Sequence, residues 1–301
     1  HLSLRRQRQM CIRDSMERAA REYPNHRECF ACHHQTSPLL VQRQAARFGL
    51  KVDNATRDSI VEFTRRSFES QREKLETGKS IDGRAITVAY GLLTFELADA
   101  PTDPLAQALV TNLLKTQHAD GYWEPEAHRP PAEESKLFIT ALAVRGLRKF
   151  AAESQRQAAR DAEIRATAWV EKTKCESVDD RAGVVLFQRA IEIPEAARRA
   201  AFDALVARQN EDGSWSQRPE MKGDAYATGL AMWSLHESSL PLPPVVRRRA
   251  LEYLLRTQQA DGSWYAVSRC DPVQTFFESG APHGRDQFLS LLATGWCAAL
   301  P

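Results

Sequence analysis

Three segments of this sequence repeat one pattern of glutamine, Asp-Gly and tryptophan. They read LLKTQHADGYW at 113–123, LVARQNEDGSW at 205–215 and LLRTQQADGSW at 254–264, and in each the tryptophan stands six positions after the glutamine. The glutamines are 92 and 49 residues apart, so a degenerate copy at 166–174 fits between the first two, and another at 60–71 fits before them. A period near 45 residues predicts an array of supersecondary units stacked around a shared core.

Each repeat unit is predicted to be a pair of helices. The segment 243–258 opens with prolines and places Val246, Ala250 and Leu254 on one helical stripe. Asp-Gly then ends the helix, because glycine accepts the left-handed backbone of a helix C-cap. A more apolar segment rich in alanine and glycine follows each loop, at 87–97, 137–147, 225–237 and 287–300. We expect an outer layer of polar-faced helices, an inner layer of buried ones, and no convincing strands.

The pattern of Gln, Asp-Gly and Trp after an outer helix resembles the QW repeat of the terpenoid cyclases and of the protein prenyltransferase β-subunits. The resemblance covers roughly residues 55–301. It implies an all-α fold, an α/α toroid in which about six helical hairpins form a barrel around a central cavity. In that fold the glutamine and tryptophan of each motif tie neighbouring hairpins together. The residues that match are Gln117, Trp123, Gln209, Trp215, Gln258 and Trp264.

The first residues of the chain are interpreted as foreign to the protein. Residues 5–15 can be back-translated into a transposase adaptor read in frame, so residues 1–15 are treated as adaptor-derived. On this interpretation the true start of the gene, and any signal peptide, are missing. Residues 16–54 then form an N-terminal segment, and the toroid follows at 55–301.

Charge and hydropathy limit the partners. The formal charge of +2 falls to −1 once the four arginines and one aspartate of residues 1–15 are set aside, so no nucleic-acid partner is expected. No apolar run approaches the ~20 residues of a membrane span, so no transmembrane segment is expected, although peripheral membrane contact stays open. The oligomeric state also stays open.

A proton-donating carboxylic acid is the chemistry that the resemblance implies. Squalene–hopene cyclases protonate an alkene with the middle aspartate of D-x-D-D-T-A, an acid that must stay protonated among aromatic rings that stabilise carbocations. The nearest match is DAYATG at 224–229, where Asp224 keeps the first position but Tyr226 and Ala227 replace the two acids that matter. The motif is not intact, and Asp224 is one candidate site residue.

Asp179 and Asp180 give a second candidate. They lie in SVDDRA at 177–182, before a predicted helix, where aspartates are also common as first-turn caps. A neighbouring acid helps to keep a carboxyl group protonated, and only Asp179 has one beside it in sequence. The pair can therefore be read as a proton donor or as a helix cap.

The polar stretch at 268–288 supplies the remaining candidates, Asp286 and His283. The zinc of the prenyltransferases is held in part by D-x-x-H, but Leu289 stands three residues after Asp286 where that histidine would be, so no metal is expected. The stretch is read either as a rim of the cavity that binds or catalyses through these two residues, or as a loop whose charged groups pair locally.

Cys29, Cys32 and His33 form C-x-x-C-H, the spacing at which haem c is attached. Covalent haem needs two thiols for its vinyl groups and a following histidine for its iron. No cytochrome-like helical domain surrounds the motif. Three interpretations stay open: haem c, another metal or redox site that includes His34, and no cofactor. Attached haem would imply a periplasmic or exported protein; otherwise the localisation is unknown.

Together these features predict a bacterial, squalene-cyclase-like toroid that binds an apolar, isoprenoid-type small molecule. If it is an enzyme, we expect a terpene cyclase or mutase-like isomerase. A non-catalytic toroid scaffold and a redox protein that carries haem c are the alternatives.

Overall fold

The computed structural model describes residues 2–126, 129–271 and 275–300, with side chains from residue 11 onward. Within these residues, two two-residue strands, β1 (Trp215–Ser216) and β2 (Gly223–Asp224), pair antiparallel, and all other regular structure is helical. None of the helices described there combines the length and apolar character needed to cross a membrane. The predominance of helix over these two short strands confirms the all-α class. The α-helices are α1 (Leu2–Glu22), α2 (Cys32–Arg47), α3 (Asn54–Glu69), α4 (Arg72–Thr77), α5 (Arg84–Leu97), α6 (Pro104–Thr116), α7 (Lys136–Phe150), α8 (Arg156–Val170), α9 (Val178–Ala190), α10 (Glu195–Val206), α11 (Ala225–Glu237), α12 (Pro244–Thr257) and α13 (Gln287–Ala298).

Six of these helices form a closed inner ring. Helices α2, α5, α7, α9, α11 and α13 each pack against the next in this order, and α13 packs back against α2. Helix α11 is buried from Ala225 to Leu235, on every face, as expected of a helix enclosed by neighbours. Helices α1, α3, α4, α6, α8, α10 and α12 precede the inner helices and lie outside them. The described residues therefore form an α/α toroid of six hairpins, as the sequence predicted.

The tryptophans of the repeat secure each outer helix to its own inner helix. Trp215 is fully buried, and its Nε1 donates to the carbonyl oxygen of Leu205 at 2.9 Å. Its backbone N–H donates to Oγ1 of Thr228 on α11 at 3.0 Å. The same two contacts recur for Trp123, with Leu113 and Thr140, and for Trp264, with Leu254 and Thr294.

The glutamines of the repeat link neighbouring hairpins. Nε2 of Gln209 donates to the carbonyl oxygen of Val246 on the next outer helix, α12, at 2.9 Å. Nε2 of Gln117 donates in the same way to Ala162 on α8 at 2.8 Å. Each amide also donates to the glycine carbonyl of its own Asp-Gly turn. These glutamines thus link neighbouring hairpins, whereas each tryptophan joins the two helices of one hairpin.

Helix α1 takes the outer position after α12 and closes the ring. Each turn glycine of the repeat lies against the next outer helix: a β-carbon on Gly213 would stand 2.2 Å from the carbonyl oxygen of Arg249 on α12. A β-carbon on Gly262 would stand 3.0 Å from the backbone nitrogen of Ile12 on α1. Helices α1 and α2 are thus the outer and inner members of one hairpin, although the sequence pattern started the toroid at residue 55. The adaptor origin of residues 1–15 stays a prediction.

Candidate active site

The first turns of several inner helices surround a small cavity at one mouth of the ring. The cavity has a volume of about 90 Å³ and is bordered by Cys32 and His33 on α2, Tyr90 on α5 and Phe288 on α13. Two connections, at 129–133 and 268–270, cover it from outside. We call these connections, together with Glu134, the rim. Pockets for drug-sized ligands occupy roughly 300–1,000 Å³, so in this arrangement the cavity holds only a small group.

Asp179 lies inside the ring on the first turn of α9. Only 2% of its surface is exposed, and Oδ1 accepts a hydrogen bond of 2.7 Å from the hydroxyl of Tyr226 on α11. Its other oxygen, Oδ2, is buried and has no hydrogen-bond partner among the described residues. Burial raises the pKa of Asp179 to about 7, although the bond from Tyr226 acts to lower it. This carboxyl group therefore keeps its proton to a much higher pH than an ordinary aspartate does.

Tyr226 contacts this acid, and a series of packed aromatic rings runs from Tyr90 through the ring interior to Trp233. Tyr90 borders the cavity, and its pKa is raised by burial and by the charge of Asp179. The ring centroids of Tyr90 and Phe138 are 6.4 Å apart, and those of Phe138 and Trp296 are also 6.4 Å apart. Trp296 lies 4.5 Å from Trp233. A buried carboxylic acid can donate a proton. Aromatic faces can stabilise the cation that results.

The other aspartates near Asp179 act as helix caps. Asp180 accepts hydrogen bonds from the backbone of Ser177 and, at 2.6 Å, from the hydroxyl of Ser135, so it completes the capping box of α9 and joins the start of α7. Asp224 caps α11 by accepting from the backbone of Ala227 at 2.8 Å, and burial raises its pKa. Of the two readings of the aspartate pair, capping therefore describes Asp180, whereas the role of Asp179 as a proton donor stays a prediction.

An ion network fixes the rim. Glu134 accepts hydrogen bonds from Arg218 and, at 2.8 Å, from Arg269. Arg269 donates to Oε1 of Gln217 at 2.8 Å, and Gln217 donates to Oδ2 of Asp224 at 2.7 Å. Because these residues belong to three separate connections, the network holds both covering segments to the start of α11.

Asp286 and His283 do not border the described cavity, and neither does Asp179. Asp286 accepts hydrogen bonds from the hydroxyl of Tyr265 at 2.7 Å and from the backbone of Ser268 at 2.8 Å. His283 shares a hydrogen bond of 2.7 Å with the hydroxyl of Ser263, and burial lowers its pKa. Both side chains hold the connection between α12 and α13, and Ser268 and Cys270 of the same stretch border the cavity. A catalytic role of Asp286 and His283 stays a prediction.

The C-x-x-C-H motif lies at the same mouth as Asp179. Cys29 and Cys32 are free thiols, and burial raises the pKa of Cys32 to about 12. His33 has a pKa lowered by burial to about 3 and is therefore neutral. Its Nδ1 forms a hydrogen bond of 2.7 Å with Nδ1 of His34, and its ring stacks on Phe288 at 4.6 Å.

The geometry of this motif does not fit a haem group as it stands. Cys32 and His33 border the cavity and supply the required donor atoms, but a space of about 90 Å³ is too small for the macrocycle. Across the described residues, no cluster of three or more histidine, cysteine, aspartate or glutamate side chains is arranged to hold a metal ion.

Tyr226 and Tyr90 are the site residues that the sequence did not select. A signal for Tyr226 was nevertheless present, because it occupies the position of the middle acid in the DAYATG match at 224–229. No sequence pattern marked Tyr90, which lies in an apolar segment predicted only as an inner helix.

Comparison with known proteins supports the fold. No protein-family model matches the chain, and no curated protein matches it. Among solved structures, a protein from Actinoplanes aligns with a TM-score of 0.55 and 16% sequence identity over 87% of both chains. A UGL variant with dGlcA-Glc-Rha-Glc, itself an α/α toroid, aligns with a TM-score of 0.53 and 16% identity over 94% of this chain and 95% of that one. At such identity the similarity extends to the toroid fold alone.

Proposed function

We propose that this toroid binds an apolar, isoprenoid-type molecule in its ring and isomerises or cyclises it by protonating a carbon–carbon double bond. The observation that carries the proposal is Asp179, a fully enclosed carboxyl group with a pKa of about 7 and one oxygen, Oδ2, free of any partner in the described residues. Such an acid is the group that the resemblance to terpenoid cyclases requires, although it lies outside the expected motif.

The proton transfer assigns a role to each neighbouring group. The O–H bond of Asp179 breaks as a C–H bond forms at one alkene carbon, and the positive charge develops on the other carbon. The faces of Tyr90, Phe138 and Trp296 stabilise that charge. The hydroxyl of Tyr226 stabilises the carboxylate that remains. Return of a proton from the cation to this carboxylate completes an isomerisation with no net change in composition.

Entry of the substrate requires the rim to move. A prenyl chain exceeds the cavity of about 90 Å³ that the rim covers. The two segments of the rim are joined to each other through Glu134 and Arg269, and Glu134 also binds Arg218. Ala132 packs against the core, so opening requires both these polar contacts and that apolar contact to break.

The test is incubation of the purified protein with squalene and shorter prenyl alcohols in deuterated water, followed by gas chromatography and mass spectrometry. We expect cyclic or isomerised product with deuterium at the protonated carbon, and loss of this product in Asp179→Asn. Asp286→Asn is the matched control and should retain it. If Asp179→Asn makes as much product as the wild type, Asp179 is not the acid.

Failure to find product has a separate meaning. If the wild type makes no product but binds a prenyl analogue, the protein is a lipid-binding toroid. If it neither makes product nor binds the analogue, both the enzyme and the lipid-binding proposals fall, which leaves the non-catalytic scaffold and the redox protein.

A haem c redox protein is the second candidate. One observation favours it: Cys32 and His33 of C-x-x-C-H border the same cavity. Attachment would require displacement of the rim, and no step proposed above depends on haem. The test is expression with an export signal in a host that matures c-type cytochromes, followed by haem staining after denaturing electrophoresis. Absence of a stained band beside a working control cytochrome would end this hypothesis.

A further inference from the structure

A second cavity lies at the opposite mouth of the ring, where the inner helices end. Its volume is about 690 Å³, within the roughly 300–1,000 Å³ of small-molecule pockets. It is bordered by Arg47 near the end of α2, Arg145 on α7, Arg189 on α9 and His236 on α11. Because α2 is not a neighbour of α7, α9 or α11 in the ring, the cavity lies across the ring axis. We call it the C-terminal cavity.

One arginine of the C-terminal cavity is fixed by carboxylates. Arg145 donates to both oxygens of Glu96, at 2.8 and 2.9 Å, and to Oε2 of Glu237 at 3.1 Å. Another carboxylate of the cavity, Glu192, accepts from Arg148 at 2.6 Å. The acidic side chains that border the cavity are thus already engaged by arginines, and they leave no carboxylate for the remaining two.

Those two, Arg47 and Arg189, form no ion pair or side-chain hydrogen bond within the described part of the chain. Both are exposed at the cavity wall, on helices that come from opposite sides of the axis. Each guanidinium presents five N–H donors in a planar fork that matches the oxygens of a carboxylate or phosphate. Leu186 and Phe48 add an apolar surface between polar groups.

We propose that the C-terminal cavity binds an anionic small molecule, with its phosphate or carboxylate oxygens held between Arg47 and Arg189. This site is separate from the acid at the other mouth and does not depend on the function proposed above.

Helix polarity makes the arginines essential to such a site. The carbonyl ends of α2, α7, α9 and α11 carry partial negative charge and by themselves repel an anion. Binding therefore depends on directed hydrogen bonds from the two guanidinium groups, and not on a general positive field. Removal of one guanidinium group should weaken binding strongly. A lysine at the same position keeps the charge but lacks the planar set of donors, so it should restore only part of the lost affinity.

The experiment is isothermal titration calorimetry of the full-length protein with inorganic pyrophosphate and with citrate, at low and high salt. We expect binding that weakens with salt, a loss of affinity of about tenfold or more in Arg47→Gln and in Arg189→Gln, and partial recovery in Arg47→Lys. The matched control is Arg208→Gln, which removes the same charge from an exposed site beyond the end of α10 and should bind as the wild type does.

The outcomes separate the alternatives. Preference for pyrophosphate assigns a phosphate ligand, preference for citrate assigns a carboxylate ligand, and equal binding supports the oxyanion site without preference. Absence of binding to both probes by the wild type would overturn the proposal. An equal loss in Arg208→Gln would overturn it too, because it would mean that any surface arginine contributes as much. Thermal unfolding of each variant confirms that the losses occur in folded protein.

Discussion

The hydroxyl of Tyr226 on α11 donates to Oδ1 of Asp179 on α9, with 2.7 Å between the two oxygens and both side chains buried. In the DAYATG match, Tyr226 occupies the place of the middle acid of the cyclase motif. The carboxyl group is therefore supplied by the neighbouring inner helix, and the tyrosine holds it. This relationship explains how a ring without D-x-D-D still encloses an acid, and it leads to two predictions about pH.

Asp179→Asn should change how stability depends on pH. The pKa of Asp179 rises from 3.8 to about 7 on folding, so between these values the folded protein binds more protons than the unfolded chain. The free energy of unfolding therefore falls as pH rises from about 4 to about 7, by up to about 4 kcal/mol from this group. Asparagine does not ionise, so the variant should gain stability relative to the wild type over that range.

Urea unfolding of both proteins at several pH values between 5 and 8 measures this difference. Asp286→Asn makes the same chemical change in the α12–α13 connection and should follow the wild type. Parallel pH curves for Asp179→Asn and wild type would show that Asp179 is ionised normally in the folded protein, and the proton-donor role would then lose its basis.

Tyr226→Phe should raise the pKa of Asp179 further. The hydrogen bond from the tyrosine hydroxyl stabilises the charged carboxylate and so lowers its pKa. Without this bond, the rise in pKa that burial causes is less offset. The carboxyl carbon resonance of Asp179, assigned by its absence in Asp179→Asn, should titrate with a midpoint above that of the wild type. Tyr265→Phe removes a bond of equal length to Asp286 and serves as the control. An unchanged midpoint in Tyr226→Phe would contradict the assigned role of the tyrosine.

Most of the ring could be predicted from the sequence because the residues of the repeat have local structural roles, in turns and in contacts within one hairpin. The turn glycines recur at fixed spacing, and so do the tryptophans whose indole N–H groups donate to the preceding helix. The inner helices α5, α7, α11 and α13 are apolar enough to be recognised from the sequence. Helix α2 was not identified as an inner helix because its buried residues include His34, Gln35, Thr36 and Ser37. These polar side chains make α2 resemble an exposed helix in the sequence, although closure of the ring requires α2 to be buried.

The site could be predicted only in part because it depends on contacts between helices. Sequence placed Asp179 and Asp180 side by side and could not tell the cap from the buried acid. That distinction depends on Ser135, which binds Asp180 from 45 positions away, and on Tyr226, 47 positions from Asp179. For Asp286 and His283, the density of polar residues indicated either a catalytic rim or a locally paired loop, and it could not identify Tyr265 and Ser263 as the residues that bind these side chains.

Trp215→Ala should destabilise the protein by about 3–5 kcal/mol, as for other large buried aromatic residues. The indole is fully buried and donates to the carbonyl of Leu205, so truncation leaves a cavity and removes one of the hydrogen bonds that this carbonyl accepts. Thermal and urea unfolding measure the change. Trp169→Ala removes a partly exposed tryptophan of α8 and should cost much less. An unfolding midpoint of Trp215→Ala equal to that of the wild type would remove the structural role assigned to the repeat.

Glu134→Gln should open the rim more often. The carboxylate of Glu134 accepts from Arg218 and Arg269, which belong to two other connections, so one neutral amide cannot replace both charged contacts. All three side chains are about one-third exposed, and we expect a loss of about 1 kcal/mol, which corresponds to about a fivefold increase in opening.

Alkylation of Cys32 reports this opening. Its thiol borders the cavity beneath the rim, and burial raises its pKa to about 12, so a neutral alkylating reagent reacts with it chiefly when the rim is displaced. Peptide mass spectrometry at one pH should give a rate about fivefold higher in Glu134→Gln than in the wild type. Glu192→Gln, which removes an exposed ion pair with Arg148 at the other mouth, should leave the rate unchanged. Equal rates in Glu134→Gln and wild type would mean that the ion network does not control access to the cavity.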